Sequence, residues 1–235
     1  MFEEKQSTHT PFDQVEGINP EIPESAKTVE LNSSNDPEAA ANESKPLALK
    51  WIDNAILTLN SCINSIDPGS SLNILSKRGF PIVRLHFHTD RHKSGTTEKE
   101  NLKKIESNYR TIRRYLCNSG HIFHSADDET AALNTLGFFQ PDGPLVGGYA
   151  YTMKSVSFTN HYLTLGPNCK ASVIIHELGH YIDPRILHIG GESGYAYDNS
   201  DFETAINNVH CYQNFAIHAT PPYIDERYGM NRPNV

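Results

Sequence analysis

The sequence predicts an α+β fold that is mainly helical, with a small mixed β-sheet beside a helix at residues 172–183. Apolar residues recur at helical spacing in three stretches, which begin near residues 49, 98 and 202. Short segments separated by Gly, Pro and Asn lie between the second and third stretches and are typical of strands. The chain has 235 residues, of which 37% are hydrophobic, and this suffices for one substantial core. We therefore expect a single domain over residues 46–235.

The first 45 residues differ in composition from the rest. They hold ten acidic residues and three lysines among Ser, Asn, Thr and Pro, and their few apolar residues show no period. Such a segment buries too little apolar surface to offset its ordering entropy, so residues 1–45 predict a disordered acidic leader. No basic start followed by an apolar run is present, so a cleavable secretion signal is not expected. Such a composition fits a solvating tail, or a delivery signal of the unspecific kind found on injected bacterial effectors. It favours a protein that is secreted or delivered by a non-classical route, with a cytoplasmic location as the alternative.

The predicted domain is close to neutral, with 18 acidic residues against 17 Lys and Arg. Because it has no basic stripe, nucleic acid is not an expected partner. No run of about 18 apolar residues exists, so no membrane span is expected. The four cysteines at positions 62, 117, 169 and 211 form no C-x-x-C pair, which argues against a zinc ribbon or a redox motif. Disulfides and free thiols both remain open. We expect a monomer that acts on a protein or peptide.

Two helices are predicted in the first half of the domain. The first has apolar residues at Leu49, Ile52, Ile56, Leu59 and Ile63 and stops at Asp67-Pro68-Gly69. The second covers residues 98–117, with apolar residues at Leu102, Ile105, Tyr109, Ile112 and Leu116 and basic residues off that face. Between them, Phe80 to Phe87 fits a strand or a helix. If it is a strand, His86 and His88 share a face, which is a weak indication of a metal site.

The remaining elements are predicted as four strands and two helices. The strands are His121 to His124, Gly147 to Tyr151, Val156 to Phe158 and Tyr162 to Leu165. One helix carries the motif described next. The other covers Phe202 to Phe215 and faces the core through Ile206, Val209, Tyr212 and Phe215.

The stretch S-V-I-I-H-E-L-G-H-Y-I-D, from Ser172 to Asp183, contains an H-E-x-x-H motif. Residues four apart lie on one face of a helix, so His176 and His180 can each offer an imidazole nitrogen to one zinc ion. Glu177 is placed to take a proton from water at the open coordination position and to pass it to a leaving amine. Gly179 lets another backbone approach the helix closely. The motif therefore predicts metal-assisted amide hydrolysis.

The order of the motifs resembles a family of zinc metallopeptidases, the aspzincins, which include deuterolysin and the peptidyl-Lys metalloendopeptidases. The resemblance runs from about Phe158 to Gly229 and is strongest to bacterial secreted or toxin-like members. It is carried by S-F-T-N-H-Y-L-T-L-G, H-E-L-G-H-Y, G-G-E-S-G-Y-A-Y, A-I-N-N-V-H-C-Y-Q-N-F-A and R-Y-G, in that order. The resemblance implies a zincin-like fold, His176 and His180 as ligands, and Glu177 as the general base.

The resemblance also implies a tyrosine that donates a hydrogen bond to the oxyanion formed during cleavage. Tyr197 matches that tyrosine, with Tyr195 as the alternate. In zincins a strand beside the metal helix pairs with the substrate backbone, and Gly148 to Tyr151 is the candidate here. His210 is expected to support the site without binding the metal.

The third zinc ligand departs from the family pattern, because Gly194 occupies the place of the family's aspartate ligand. Three other residues follow the motif. Asp183 is better suited to capping or to a supporting role, since a continuing helix keeps its short carboxylate away from the ion. His188 lies beyond Pro184, where a returning loop can bring its imidazole to the ion, and is the preferred ligand. Glu192, in a Gly-rich turn, is the alternative third ligand.

Taken together, the residues predict a zinc-dependent endopeptidase. Two alternatives stay open. One is a catalytically impaired zinc-binding interaction module, in which the missing aspartate signals lost activity. The other is a zinc amidase that acts on peptidoglycan.

Overall fold

A computed structural model of the chain describes residues 35–67, 69, 71–91, 96–118, 123–126, 137–140, 145–146, 149–150, 155–182, 186 and 198–221. The helices in these ranges are α1 (Pro37–Ser65), α2 (Ile74–Phe87), α3 (Glu98–Asn118), α4 (Asn160–Leu163), α5 (Pro167–Ile182), α6 (Phe202–Ala205) and α7 (Val209–Ala219). The strands are β1 (Phe123–Ser125), β2 (Gly137–Gln140), β3 (Leu145–Val146), β4 (Tyr149–Ala150) and β5 (Ser155–Phe158). The predicted α+β class, mainly helical with a small mixed sheet, is confirmed. No helix in the described ranges has the length and apolar character needed to cross a bilayer.

Helix α1 begins earlier than the sequence predicts. The Asp36 side chain caps it by accepting hydrogen bonds from the backbone N–H groups of Glu38 and Ala39, and Pro37 occupies a first-turn position. Ala40 and Ala41 are buried in its first turns. Residues 37–45 are therefore helical, and the predicted boundary after residue 45 is wrong. The small alanines gave little hydropathy signal there. The rest of the predicted leader, up to residue 34, lies outside the described residues.

The core is built around α1, which packs against α2, α3, α5 and α7. The predicted apolar faces of α1 and α3 are confirmed. All five predicted positions on α3 are fully buried, and on α1 only Leu49 is part-buried rather than buried. A Cβ atom at Gly79 of α2 would lie 2.7 Å from both Cys62 Sγ and Thr58 Cγ2 of α1. The close packing of α1 and α2 therefore requires glycine at this position.

Residues 80–87 belong to α2, which resolves the predicted choice between strand and helix. His88 caps its C-terminus in the left-handed region, with φ of 48°. His86 is buried, and its Nε2 lies 2.7 Å from Nδ1 of His218 on α7. The hypothesis that His86 and His88 share a strand face is therefore wrong.

The three-stranded sheet has β5 at its centre. β1 pairs with β5 in parallel, placing Phe123 opposite Val156, and β2 pairs with β5 antiparallel, placing Phe139 opposite Val156. β2 contacts α5, so the sheet lies beside the motif helix as predicted. β3 and β4 form a separate antiparallel pair.

The strand predictions hold in part. Three of the four predicted segments contain strands, but the prediction for Tyr162 to Leu165 is wrong. That segment lies in α4 and the turn after it, where Tyr162 is fully buried. β2 and β3 were not predicted.

The predicted helix over 202–215 is divided into α6 and α7 by a turn at residues 206–208. Ile206, Val209, Tyr212 and Phe215 are nevertheless all buried, as predicted. All four cysteines are free thiols, with Cys62 and Cys211 buried. Burial raises the pKa of the Cys62 thiol to about 12.

Candidate metal-binding and catalytic site

The H-E-x-x-H motif lies in the last two turns of α5. Ala171, Ile174, Ile175 and Leu178 are buried on this helix, which packs against α1 and α7. This burial holds the helix firmly and fixes the direction of its polar face. The predicted motif helix is confirmed.

Gly179 allows α7 to lie close to the motif. A Cβ atom at Gly179 would lie 2.5 Å from Cγ2 of Val209, at the first residue of α7. Further contacts join His176 to His210, and Ser172 and His176 to Gln213. From Ser172 to Gly179 along α5, the contacting residues of α7 run in the reverse order, from Gln213 to Val209. The two helices are therefore antiparallel. The predicted close approach at Gly179 is made by α7.

The two motif histidines have the separation that one zinc ion requires. The ring centroids of His176 and His180 lie 5.3 Å apart, with an interplanar angle of 79°. Two imidazoles that bind one zinc through Zn–N bonds of about 2.0–2.1 Å, at a tetrahedral angle, have ring centres roughly 5 Å apart. The observed separation of 5.3 Å is therefore close to the value that a zinc site needs.

Both histidines are also held by oxygen acceptors. Nδ1 of His180 lies 2.7 Å from the backbone oxygen of Ile186, and Nδ1 of His176 lies 3.1 Å from Oε1 of Gln213. Because a carbonyl oxygen only accepts, each Nδ1 must carry the proton in these bonds. A neutral imidazole with its proton on Nδ1 has its lone pair on Nε2, which is the form that binds a metal.

Glu177 is enclosed by protein, with 7% of its surface exposed. This burial raises the pKa of its carboxyl to about 8. Desolvation disfavours the charged form, and a cation nearby would favour it again. A buried carboxyl with a raised pKa beside two histidines is a common feature of sites that move protons.

His210 packs against the site from α7. Its ring centroid lies 4.7 Å from that of His176, and only 5% of the residue is exposed. The supporting role expected for His210 stays a prediction. Within the described ranges, no group of three His, Cys, Asp or Glu side chains is placed to hold a metal ion.

Several predicted site residues lie outside the described residues. They are Asp183, His188, Glu192, Gly194, Tyr195 and Tyr197. The third ligand, whether His188 or Glu192, and the oxyanion donor Tyr197 therefore stay predictions. Of the predicted substrate strand, Gly148 and Tyr151 also lie outside, while Tyr149 and Ala150 form β4 and pair with β3.

Sequence reasoning did not identify Gln213 or the backbone oxygen of Ile186. Gln213 is 5% exposed and lies between Tyr212 and Asn214 in the middle of α7. A buried polar residue four positions after Val209 is a usable signal, since residues four apart share a helix face. Nothing in the order of residues indicates which side chain Gln213 contacts.

No family model matches the chain, and no curated protein or solved structure matches it either. The resemblance to aspzincins therefore stays a prediction. The assignment of the site depends on the geometry of α5 and α7.

Proposed function

We propose that this protein is a zinc-dependent endopeptidase in which His176 and His180 bind zinc and Glu177 is the general base. One observation carries the proposal. The two motif histidines lie 5.3 Å apart, and each has its Nδ1 bonded to an oxygen acceptor. Proximity together with the correct tautomer on both rings is what a two-histidine zinc site needs.

The residues of the chain divide the chemistry between them. A zinc ion bound here supplies a Lewis acid and makes water more acidic. Glu177 takes a proton from the attacking water, whose oxygen joins the peptide carbonyl carbon. When the C–N bond breaks, Glu177 delivers that proton to the leaving amine nitrogen. The low-polarity surroundings of Glu177 strengthen its interaction with nearby positive charge.

Two further roles in the proposal come from the aspzincin resemblance and from the reach of the loop after α5. His188 completes the metal shell, with Glu192 as the alternative. Tyr197 donates a hydrogen bond to the oxyanion at the scissile carbonyl.

The proposal is tested on the full chain by metal analysis and by casein cleavage. We expect about one zinc per chain. We expect Glu177→Gln to keep the metal but to lose cleavage by about 10²- to 10⁴-fold, because the amide cannot take the proton. Glu43→Gln is the matched control, since it makes the same change at an exposed position on α1 and should leave cleavage unchanged.

Two results would overturn the proposal. Zinc binding without any Glu177-dependent cleavage of protein would identify an interaction module. Glu177-dependent release of peptides from peptidoglycan, with casein untouched, would identify an amidase.

A further inference from the structure

A chain of hydrogen bonds leads from the start of α5 to the ring of His176. Oγ of Ser172 lies 2.9 Å from the backbone oxygen of Cys169, and Nε2 of Gln213 lies 3.1 Å from the same Oγ. Oε1 of Gln213 lies 3.1 Å from Nδ1 of His176. Ser172 and Gln213 are 2% and 5% exposed, so water competes little for these bonds.

The direction of every bond in this chain follows from its first member. A backbone carbonyl has no proton, so the Ser172 hydroxyl must donate to Cys169 and can offer Gln213 only a lone pair. The group of Gln213 that faces Ser172 must therefore be the NH₂. The amide oxygen then faces His176, and His176 must donate from Nδ1.

The opposite orientation of the Gln213 amide is unfavourable. If the amide were turned around, its oxygen would face a hydroxyl oxygen whose proton is already in use. Its NH₂ would face His176 and would require the lone pair to be on Nδ1. Either two buried oxygens then face each other without a proton, at a cost on the order of 1–3 kcal/mol, or the Ser172 hydroxyl gives up its bond to Cys169, at a cost of about 0.5–1.5 kcal/mol. The chain therefore favours one tautomer of His176, with the lone pair on Nε2.

We propose that Gln213 is a positioning residue that sets the tautomer and ring orientation of His176, and that Ser172 fixes the orientation of the Gln213 amide. The inference deepens the proposed zinc site, and its importance for metal binding rests on that site. The tautomer itself does not depend on the metal.

The packing of α5 and α7 supports this role. Val209 and Gln213 lie on one face of α7, and Val209 is in contact range of Gly179. The close approach at Gly179 therefore brings Gln213 to within hydrogen-bonding distance of His176. The other ligand has a different arrangement, because His180 bonds directly to the Ile186 backbone, which no side-chain substitution removes.

The first readout is the tautomer of His176 in the metal-free full chain, measured by long-range ¹H–¹⁵N NMR of the histidine rings at a pH where they are neutral. In the wild type we expect the proton on Nδ1. Gln213→Met removes the acceptor and should move His176 toward a mixture of tautomers. Gln213→Glu keeps an oxygen facing Nδ1 and should retain the wild-type pattern, with the Ser172 hydroxyl turned from Cys169 to donate to the second carboxylate oxygen. Ser172→Ala should weaken the preference.

The second readout is zinc affinity, measured by competition with a chromophoric chelator. Gln213→Met should weaken zinc binding by about 10- to 100-fold. Gln213→Glu should restore most of the affinity, which a purely structural role would not predict. Asn42→Ala removes an exposed amide that bonds only within α1, to the backbone oxygen of Glu38, and should leave the affinity unchanged.

The two proposals fail in different ways. If the wild type has the Nδ1 proton but binds no zinc, the proposed function fails and the role of Gln213 stands. If zinc binds equally to wild type and Gln213→Met, the positioning role fails and the zinc site stands. A wild-type His176 with its proton on Nε2 overturns the inference outright, even if a variant fails to fold.

Discussion

Two pairs of histidines lie close together in this protein, and they differ in what their nitrogens contact. The rings of His86 and His218 have centroids 4.7 Å apart, and the rings of His176 and His180 have centroids 5.3 Å apart. In the first pair, which joins α2 to α7, Nε2 of His86 bonds to Nδ1 of His218 at 2.7 Å. In the second pair, each Nδ1 bonds to a carbonyl-type oxygen.

The difference shows that proximity does not make a metal site. One ring of the His86–His218 pair must donate a proton to the other, so a metal ion there would have to displace the proton that joins them. The oxygens beside His176 and His180 instead hold both protons at Nδ1, which places both lone pairs on Nε2. The first pair therefore stabilises the packing of two helices, and the second has the tautomers that the proposed zinc site needs.

The largest expected effect comes from deleting one ring of each pair. His180→Ala should weaken zinc binding by at least about 100-fold, because each of the three protein ligands of the proposed site contributes about a third of a binding free energy on the order of 10 kcal/mol. His86→Ala should leave zinc binding unchanged and lower the free energy of unfolding by about 1–3 kcal/mol. Zinc content by mass spectrometry and urea denaturation measure the two effects. Loss of zinc in His86→Ala would erase the distinction between the pairs.

A smaller effect is expected from the two glycines at which helices approach closely. Gly179→Ala places a methyl group against the stiff side chain of Val209. It should lower the free energy of unfolding by about 1–3 kcal/mol. It should also weaken zinc binding, because a displaced α7 carries Gln213 away from His176. Gly79→Ala crowds Cys62 and Thr58 at similar distances and should destabilise the protein without affecting zinc.

These two variants distinguish the contact between α1 and α2 from the contact between α5 and α7. Urea denaturation checks the matched destabilisation, and chelator competition checks the zinc affinity. Equal zinc affinities for Gly179→Ala and Gly79→Ala would show that the approach of α7 is irrelevant to the site.

The smallest effect is expected at the start of α1, far along the chain from both histidine pairs. Asp36→Ala should lower the free energy of unfolding by about 1 kcal/mol, because a helix cap is lost. The Ser125 hydroxyl and the backbone N–H groups of Glu38 and Ala39 lower the pKa of Asp36. The carboxylate therefore contributes its stability above its ordinary pKa and loses it as the pH falls through the lowered value.

Wild type and Asp36→Ala should thus converge in thermal midpoint at acidic pH. Thermal melts between neutral and strongly acidic pH measure this convergence. Zinc affinity should not change, and a change would mean that general destabilisation disturbs the motif pair as well.

Patterns that depend on near neighbours were predicted well. The five apolar positions of α3 and the buried positions of the α6–α7 region follow from helical periodicity, which needs no knowledge of the partner. The same periodicity predicts that His176 and His180 share a face. Tyr162 to Leu165 was assigned wrongly because four residues fit either period.

Features that depend on distant partners were predicted poorly. β2 was missed because its pairing with β5 joins residues separated by more than ten positions, and its own sequence is only Gly-Phe-Phe-Gln. The start of α1 was missed because alanines become core residues only when other elements cover them. Gln213 was missed because its partners lie on another helix.

Spacing along the chain thus dictates that two imidazoles and a carboxylate fall together on α5, since four residues make about one helical turn. Long-range packing supplies the rest of the site. The fit of Val209 against Gly179 brings in α7, Gln213 and the Ile186 oxygen then hold the ring protons, and burial raises the pKa of Glu177. These properties arise from groups that meet only when the chain has folded. Spacing along the sequence therefore does not predict them.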